Sequence, residues 1–447
     1  MKSSIKKTKH SIASTLLIAG VALLILSSCE KQFEYSVPQL PGIPRIEVTP
    51  SEHSSEVLTK WMGLQVRLMK NTAGPNHGFA RHMAYSGIAA VEAVMPGEGI
   101  DHAWSAKWNG LTGLPHIAPG KKYFLPQNVN AALAGMNRMM FPTANATDKA
   151  AIDSLENALY QEFLTVEKQS KLDQSTEFGK AVATAVFNWA ETDGYKLANA
   201  PYTVPVGIGF WKPTPPAFAA PATPYWGNNR PVIAGSHYAV HVAPPPAYSE
   251  ATKSDFFIQA KNVYEISLSL TDAQKAMAIF WRDVPGVTSP GHWLSILQQT
   301  VVKTNSSLEK AALAYALSGG ALNDALVACF KDKYAYNVVR PVTYIREVMG
   351  YSEWNTVLGT PAHPEYPSAH SSLSAAVGDV LHKLYGDVTI TDHTYDYLGM
   401  QPRTYNSFAQ IGHEAGNSRV YAGIHYQNSV DQGIVQGKRV AKNILGE

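Results

Sequence analysis

Alanine-rich helical periodicity recurs along almost the whole chain and leaves little room for a sheet. Apolar residues return at three- and four-residue spacing over Glu56–Met69, Gly78–Val94, Asn128–Met140, Thr147–Glu167 and Ser175–Thr192. The pattern resumes over Ser254–Leu268, Thr271–Arg282, His292–Lys303, Leu308–Leu317 and Asn323–Asn337. It then runs through the stretch around His370, over Tyr405–Arg419 and over Ser429–Leu445. Thr271 with Gln274, and Ser429 with Gln432, have the spacing of capping boxes, with Asp431 in the first turn of the last helix. Faces of small residues let such helices approach closely, so the fold class is all-α. The expected architecture is two packed helical bundles in one domain over 51–447, with the chemistry in the bundle from about 308 to 447.

One stretch resists this reading. Residues 201–246 are rich in proline, aromatics and glycine, too irregular for helix and poor in strand alternation. Long excursions of this kind are usually functional or packed over a core, and here a cover for a site and a plain surface wrap are equally open.

The N-terminus reads as an address. Four lysines in the first nine residues precede an apolar run from Ile12 to Leu26, then Leu-Ser-Ser-Cys at 26–29. A basic region, a short apolar stretch and a small-residue cleavage site indicate a secretory signal over 1–28. The cysteine directly after it resembles the lipid-carrying Cys29 of a bacterial lipoprotein, with 29–50 as a proline-containing tether. The expected location is the bacterial cell envelope, with contact to the membrane through the lipid alone. No later segment is read as long enough to span a membrane. Cys329 is then the only other cysteine, which rules out an internal disulfide; it lies in an apolar run and is expected to be buried.

Removing residues 1–28 takes the formal charge from +2 to −2, which gives no electrostatic footprint for nucleic acid. There is no CxxC, HExxH, P-loop or GxGxxG, so zinc, nucleotide and dinucleotide chemistry lack support.

Three short stretches carry the chemistry: KYAYNVVRP at 333–341, PSAH at 367–370 and SRVYAGIH at 418–425. Lys333 and Arg340 are seven apart, so on one helix they would share a face about 10 Å apart, and Pro341 puts Arg340 at a helix end. Ser368 stands as an N-cap with Ala369 and His370 in the first turn, where unpaired N–H groups suit an anion. Gly423 breaks the chain between Arg419 and His425, so both can reach one centre. Each piece alone has a plain explanation: a solvated helix face, an ordinary cap, a packed histidine. Together they match the charge and shape of a tetrahedral oxyanion, phosphate or vanadate.

In these motifs the chain resembles the superfamily of vanadium-dependent haloperoxidases and type 2 phosphatidic-acid phosphatases, whose pattern is K-x6-RP, PSGH and SR-x5-H. Ala369 replaces the usual glycine, where only a backbone amide is needed unless the turn demands positive φ. The resemblance implies that Lys333, Arg340, Arg419, Ser368 and the Ala369 amide hold the equatorial oxygens. It implies that His425 bonds vanadium or phosphorus and that His370 is the acid–base, with Lys333 polarising the reacting oxygen. It also implies the same all-α two-bundle fold.

Within the superfamily, His363 favours the haloperoxidase branch, because the corresponding position lines the halide side of the site. Against that stands a loop histidine between Pro361 and Pro364. Length, and the segments FWRDVPGVTSPGHW and ALNDALVACFKDKY, resemble bacterial haloperoxidases; His292 in the first is read as structural. Family phosphatases carry aspartate four residues after the last histidine. Here that position is Ser429, so His425 is expected to lack a carboxylate partner. The implied function is a vanadate-dependent haloperoxidase acting on hydrogen peroxide and a halide, bromide or iodide favoured. The alternative is a phosphatase that attacks a phosphate ester through His425. A weaker one is a lipoprotein that only binds an oxyanion. A homo-oligomer is left open.

Overall fold

The computed structural model describes residues 53–72, 76–94, 104–117 and 120–447. The signal, the tether and Cys29 lie outside them. Thirteen α-helices and one two-stranded antiparallel ribbon appear among the described residues. In chain order the helices are α1 (Glu56–Asn71), α2 (Phe79–Val94), α3 (Leu125–Met140), α4 (Ala146–Phe163), α5 (Gln169–Ala190), α6 (Asp255–Leu268) and α7 (Asp272–Phe280). Then come α8 (Thr288–Lys303), α9 (Leu308–Tyr336), α10 (Pro341–Glu347), α11 (Ala369–Tyr385), α12 (Phe408–Tyr421) and α13 (Gln427–Leu445). The ribbon pairs Ile390–Asp392 with Arg403–Tyr405. The all-α expectation holds.

Helices α1 to α5 pack on one another as a first layer, and α9, α11, α12 and α13 form a second. Helix α9 lies against both, packing most extensively on α2. The sequence splits α9 at Ser318-Gly319-Gly320, yet it is one helix of 29 residues. The glycine there serves packing. A Cβ on Gly319 would stand 2.7 Å from Ala84 Cα, and one on Gly87 of α2 would stand 2.6 Å from the Tyr315 carbonyl group. Interhelical approach, not chain reversal, demands these residues. Helix α9 is also long and apolar enough to cross a membrane, which corrects the expectation that no later segment is; its apolar stretch is wholly buried as the central core helix.

Capping follows the local sequence at Thr271, where the full capping box with Gln274 forms. It does not at Ser429. Helix α13 opens two residues earlier, behind Tyr426, and Ser429 lies inside it with its hydroxyl turned to Glu365. A better partner overrode the local signal.

Residues 201–246 contain a single 3-10 turn at Trp226–Asn228 and two isolated bridges, Phe210 to Val338 and Ile233 to Trp108. Two buried carboxylates on α9 fasten the excursion. Asp324 accepts from Val232 N at 2.8 Å, Ile233 N at 3.2 Å and Ser236 Oγ at 2.5 Å. Asp332 pairs with His241 and accepts from Val242 N and Gln436 Nε2. The excursion is therefore fixed, and its Ala222 lines a cavity that also holds His363, His370 and His425.

Candidate active site

Helix α9 ends at Asn337, which takes the left-handed conformation (φ 51°, ψ 41°). Lys333 is thus in the last turn of α9, whereas Arg340 lies beyond the turn as the extended N-cap of α10, with Pro341 at its first position. The shared helix face expected for the pair does not exist; the turn brings them together instead. Ser368 caps α11, accepting from Ser371 N, and the first-turn N–H groups of Ala369 and His370 have no carbonyl one turn back. Ala369 is not among the residues with positive φ, so alanine is unstrained there. Gly423 has φ 76°, ends α12 and returns His425 toward Arg340.

A cavity of about 450 Å³ gathers the three stretches. His363, Ala369, His370, Arg419 and His425 line it, while Lys333, Arg340 and Ser368 sit behind that wall. Arg340 donates from Nε to the His363 carbonyl at 3.0 Å and from Nη1 to the Ile424 carbonyl at 2.8 Å. Its Nη1 is also 3.3 Å from His425 Nε2, and its Nη2 is 3.0 Å from His363 Nδ1. Lys333 Nζ donates to the carbonyls of Pro364 and Glu365 at 3.0 and 2.9 Å. Arg419 donates to Ser418 Oγ at 2.9 Å and to the Ala278 carbonyl at 3.1 Å.

These three cations are at most 2% exposed, and among the described residues none of them pairs with a carboxylate. Burial pushes Lys333 down to about 7 and both arginines down to about 10. Such unmatched buried charge is costly unless an anion completes it. Burial, then the Arg340 and Lys333 charges, hold His425 well below the usual imidazole range. Burial, then Arg419, brings His370 to about 4, so both rings are neutral at pH 7. No group of three metal-ligating side chains occurs among the described residues, so the donor set fits an oxyanion rather than a simple cation.

Sequence reasoning missed four contributors. Glu365, fully buried, accepts from His425 Nδ1 at 2.8 Å, from Tyr426 N at 3.0 Å and from Ser429 Oγ at 2.5 Å. His425 therefore has the carboxylate partner it was expected to lack. The signal was present, two residues after His363, but nothing in chain order ties Glu365 to His425, 60 residues on. Ser289 and Asp283 enter the cavity wall from the segment before and at the start of α8, and His77 enters from the N-terminal layer. Site residues thus do not all come from position 308 onward. His292 is structural in its placement: buried, 2.5 Å from Asp392 Oδ2 and stacked on Trp281. Cys329 is buried and free.

The model of a protein family described as the VCPO second helical-bundle domain matches residues 313–446. Among solved structures, a bacterial vanadium-dependent iodoperoxidase is similar at 29% identity and TM-score 0.79, covering 89% of this chain and 97% of that one. A bacterial vanadium-dependent chloroperoxidase in its holo form is similar at 18% identity and TM-score 0.65, covering 84% and 92%; its apo form is similar at 17% and 0.64, covering 83% and 94%. The last two identities bear on the fold alone. No curated protein sequence matches. The three oxyanion motifs converge on one cavity, residues 313–446 match the second-bundle family model, and the fold is that of these enzymes over nearly the whole chain, which together support the vanadium haloperoxidase superfamily.

Proposed function

We propose that the protein is a vanadate-dependent haloperoxidase that uses hydrogen peroxide to oxidise a halide, bromide or iodide in preference to chloride, to a hypohalous species. The observation that carries this reading is the set of three buried cations without carboxylate partners around a neutral imidazole, in a fold shared with a vanadium-dependent iodoperoxidase. His425 would ligate vanadium through Nε2. Lys333, Arg340, Arg419, Ser368 and the Ala369 amide would hold its oxygens, and phosphate fits the same donors. Bound vanadate supplies a pentavalent Lewis acid that activates peroxide toward a halide. His370, neutral at pH 7, takes and returns protons at the cavity wall. Lys333 provides the charge that polarises the reacting oxygen, and His363 faces the halide. The lipid anchor at Cys29 and the envelope location rest on the first 29 residues and are proposed on that ground alone.

One contact favours a second reading. A buried imidazole oriented by a carboxylate, as His425 is by Glu365, is also what a phosphate-attacking nucleophile requires. With Glu365 in place, His425 does not lack the carboxylate partner that phosphatase chemistry calls for.

A paired assay on the purified protein separates the readings. Halogenation of a phenolic reporter by peroxide with chloride, bromide or iodide, dependent on orthovanadate, is the expected result. Phosphate release from a monoester, inhibited by vanadate and without halogenation, would assign phosphoryl transfer. Anion binding with neither turnover would leave a binding protein.

A further inference from the structure

We propose that Glu365 is the positioning residue of the site, holding His425 in the single ring tautomer whose Nε2 carries a lone pair, not a hydrogen, toward the oxyanion centre. The proposal rests on the oxyanion reading of the cavity but not on whether its chemistry is halide oxidation or phosphoryl transfer.

Two independent contacts select the tautomer. Nδ1 lies 2.8 Å from Glu365 Oε1, an acceptor, and Nε2 lies 3.3 Å from Arg340 Nη1, which can only donate. Nδ1 must therefore carry the hydrogen and Nε2 the lone pair. A flipped tautomer would set N–H against N–H at Arg340 and a bare nitrogen against a carboxylate.

Glu365 is itself held too firmly to follow the ring. Oε1 also accepts from Tyr426 N, Oε2 accepts from Ser429 Oγ, and the side chain is fully buried. Its main-chain carbonyl takes the Lys333 ammonium, so one residue links the imidazole to a site cation. The other nearby acid does not compete: Asp431 is exposed and accepts from Gln427. Ser429, in the first turn of α13, follows His425 by four residues, and its hydroxyl touches the carboxylate that holds the ring. A carboxylate at position 429 would therefore enter the space that shortening Glu365 opens.

This gives a swap test on the full-length protein. Three variants, Glu365→Ala, Ser429→Asp and the double, are compared with the parent chain. The readouts are 15N shifts of the His425 ring, assigned by the signal lost in His425→Gln, and calorimetric affinity for orthovanadate and for phosphate. In Glu365→Ala the Nδ1–H signature should weaken and anion affinity fall about 10- to 100-fold, the usual effect of losing a ligand's supporting partner. The double variant should recover most of both. Unchanged tautomer and affinity in a folded Glu365→Ala, or a folded double variant no better than the single, would overturn the proposal. Should Glu365→Ala fail to fold, Glu365→Gln and Glu365→Met decide: Gln keeps shape and acceptor, so tautomer and affinity should both persist, whereas Met fills the space without an acceptor and should lose both, and a folded Met variant with tautomer and affinity unchanged would refute the role. Absence of halogenation in the parent chain, with these shifts intact, would refute only the peroxidase reading.

Discussion

Ser289 Oγ lies 3.0 Å from His370 Nε2, and the Trp281 carbonyl stands at the same distance from the same nitrogen. A carbonyl only accepts, so Nε2 carries the hydrogen and Nδ1 is the basic atom. Burial keeps the ring unprotonated above about pH 4. His370→Gln should lower kcat for halogenation about 10²- to 10⁴-fold, the range for a lost acid–base group, while sulfate affinity stays near that of the parent. Ser289→Ala, which removes one neutral hydrogen bond, should cost only about 2- to 12-fold. Steady-state kinetics beside calorimetry checks both; a His370→Gln protein that no longer binds sulfate would make His370 an anion ligand instead.

Lys333 should make anion binding fade on the alkaline side of neutrality. Burial lowers its folded-state value to about 7 from 10.5, so its charge is present below pH 7 and lost as pH rises through 7. The sign for stability is the reverse. Between pH 7 and 10.5 the unfolded chain binds the extra proton, so this group's contribution to stability rises with pH across that window. Sulfate, whose charge is constant over the range, is the suitable probe. Its affinity should drop from pH 6 to 9, and Lys333→Met should weaken binding at pH 6 about 10- to 150-fold and flatten the profile. A parent profile already flat would reject the assignment.

His363 should tune the halide without building the anion site. Its ring lines the cavity and contacts Arg340 Nη2 through Nδ1. His363→Ala should change the ratio of iodide to bromide turnover while orthovanadate still binds. An unchanged ratio would return His363 to a loop residue that merely supports Arg340.

Gly319 should tolerate no side chain. Alanine there gains about 1 kcal/mol of helix propensity, but its Cβ would meet Ala84 Cα at 2.7 Å, and such overpacking costs about 1–3 kcal/mol. Gly319→Ala should therefore lower the denaturation midpoint, and Gly319→Val should lower it further. A more stable Gly319→Ala protein would mean that α2 and α9 separate readily.

The contrast between Gly319 and Gly423 shows what the sequence could and could not convey. Both are glycines inside apolar surroundings. Gly423 breaks a helix, as its place between Arg419 and His425 suggested, because its φ of 76° suits no other residue well. Gly319 breaks nothing, because its role depends on a helix more than 200 residues earlier. The site divides the same way. Lys333, Arg340, Ser368, His370, Arg419 and His425 were legible because fixed local spacings encode the helix ends that present them. Glu365 and Ser289 were not, since their work is done by contacts formed only when distant segments pack. Ser429 misled for the same reason: its hydroxyl found a buried carboxylate rather than a helix terminus.

Helix α9 carries Asp324 and Asp332, which fasten the proline-rich excursion, and Lys333, the adjacent site cation. The excursion and one site cation are thus surveyed from a single datum. A one-residue slip within α9 would displace the excursion and the cation together.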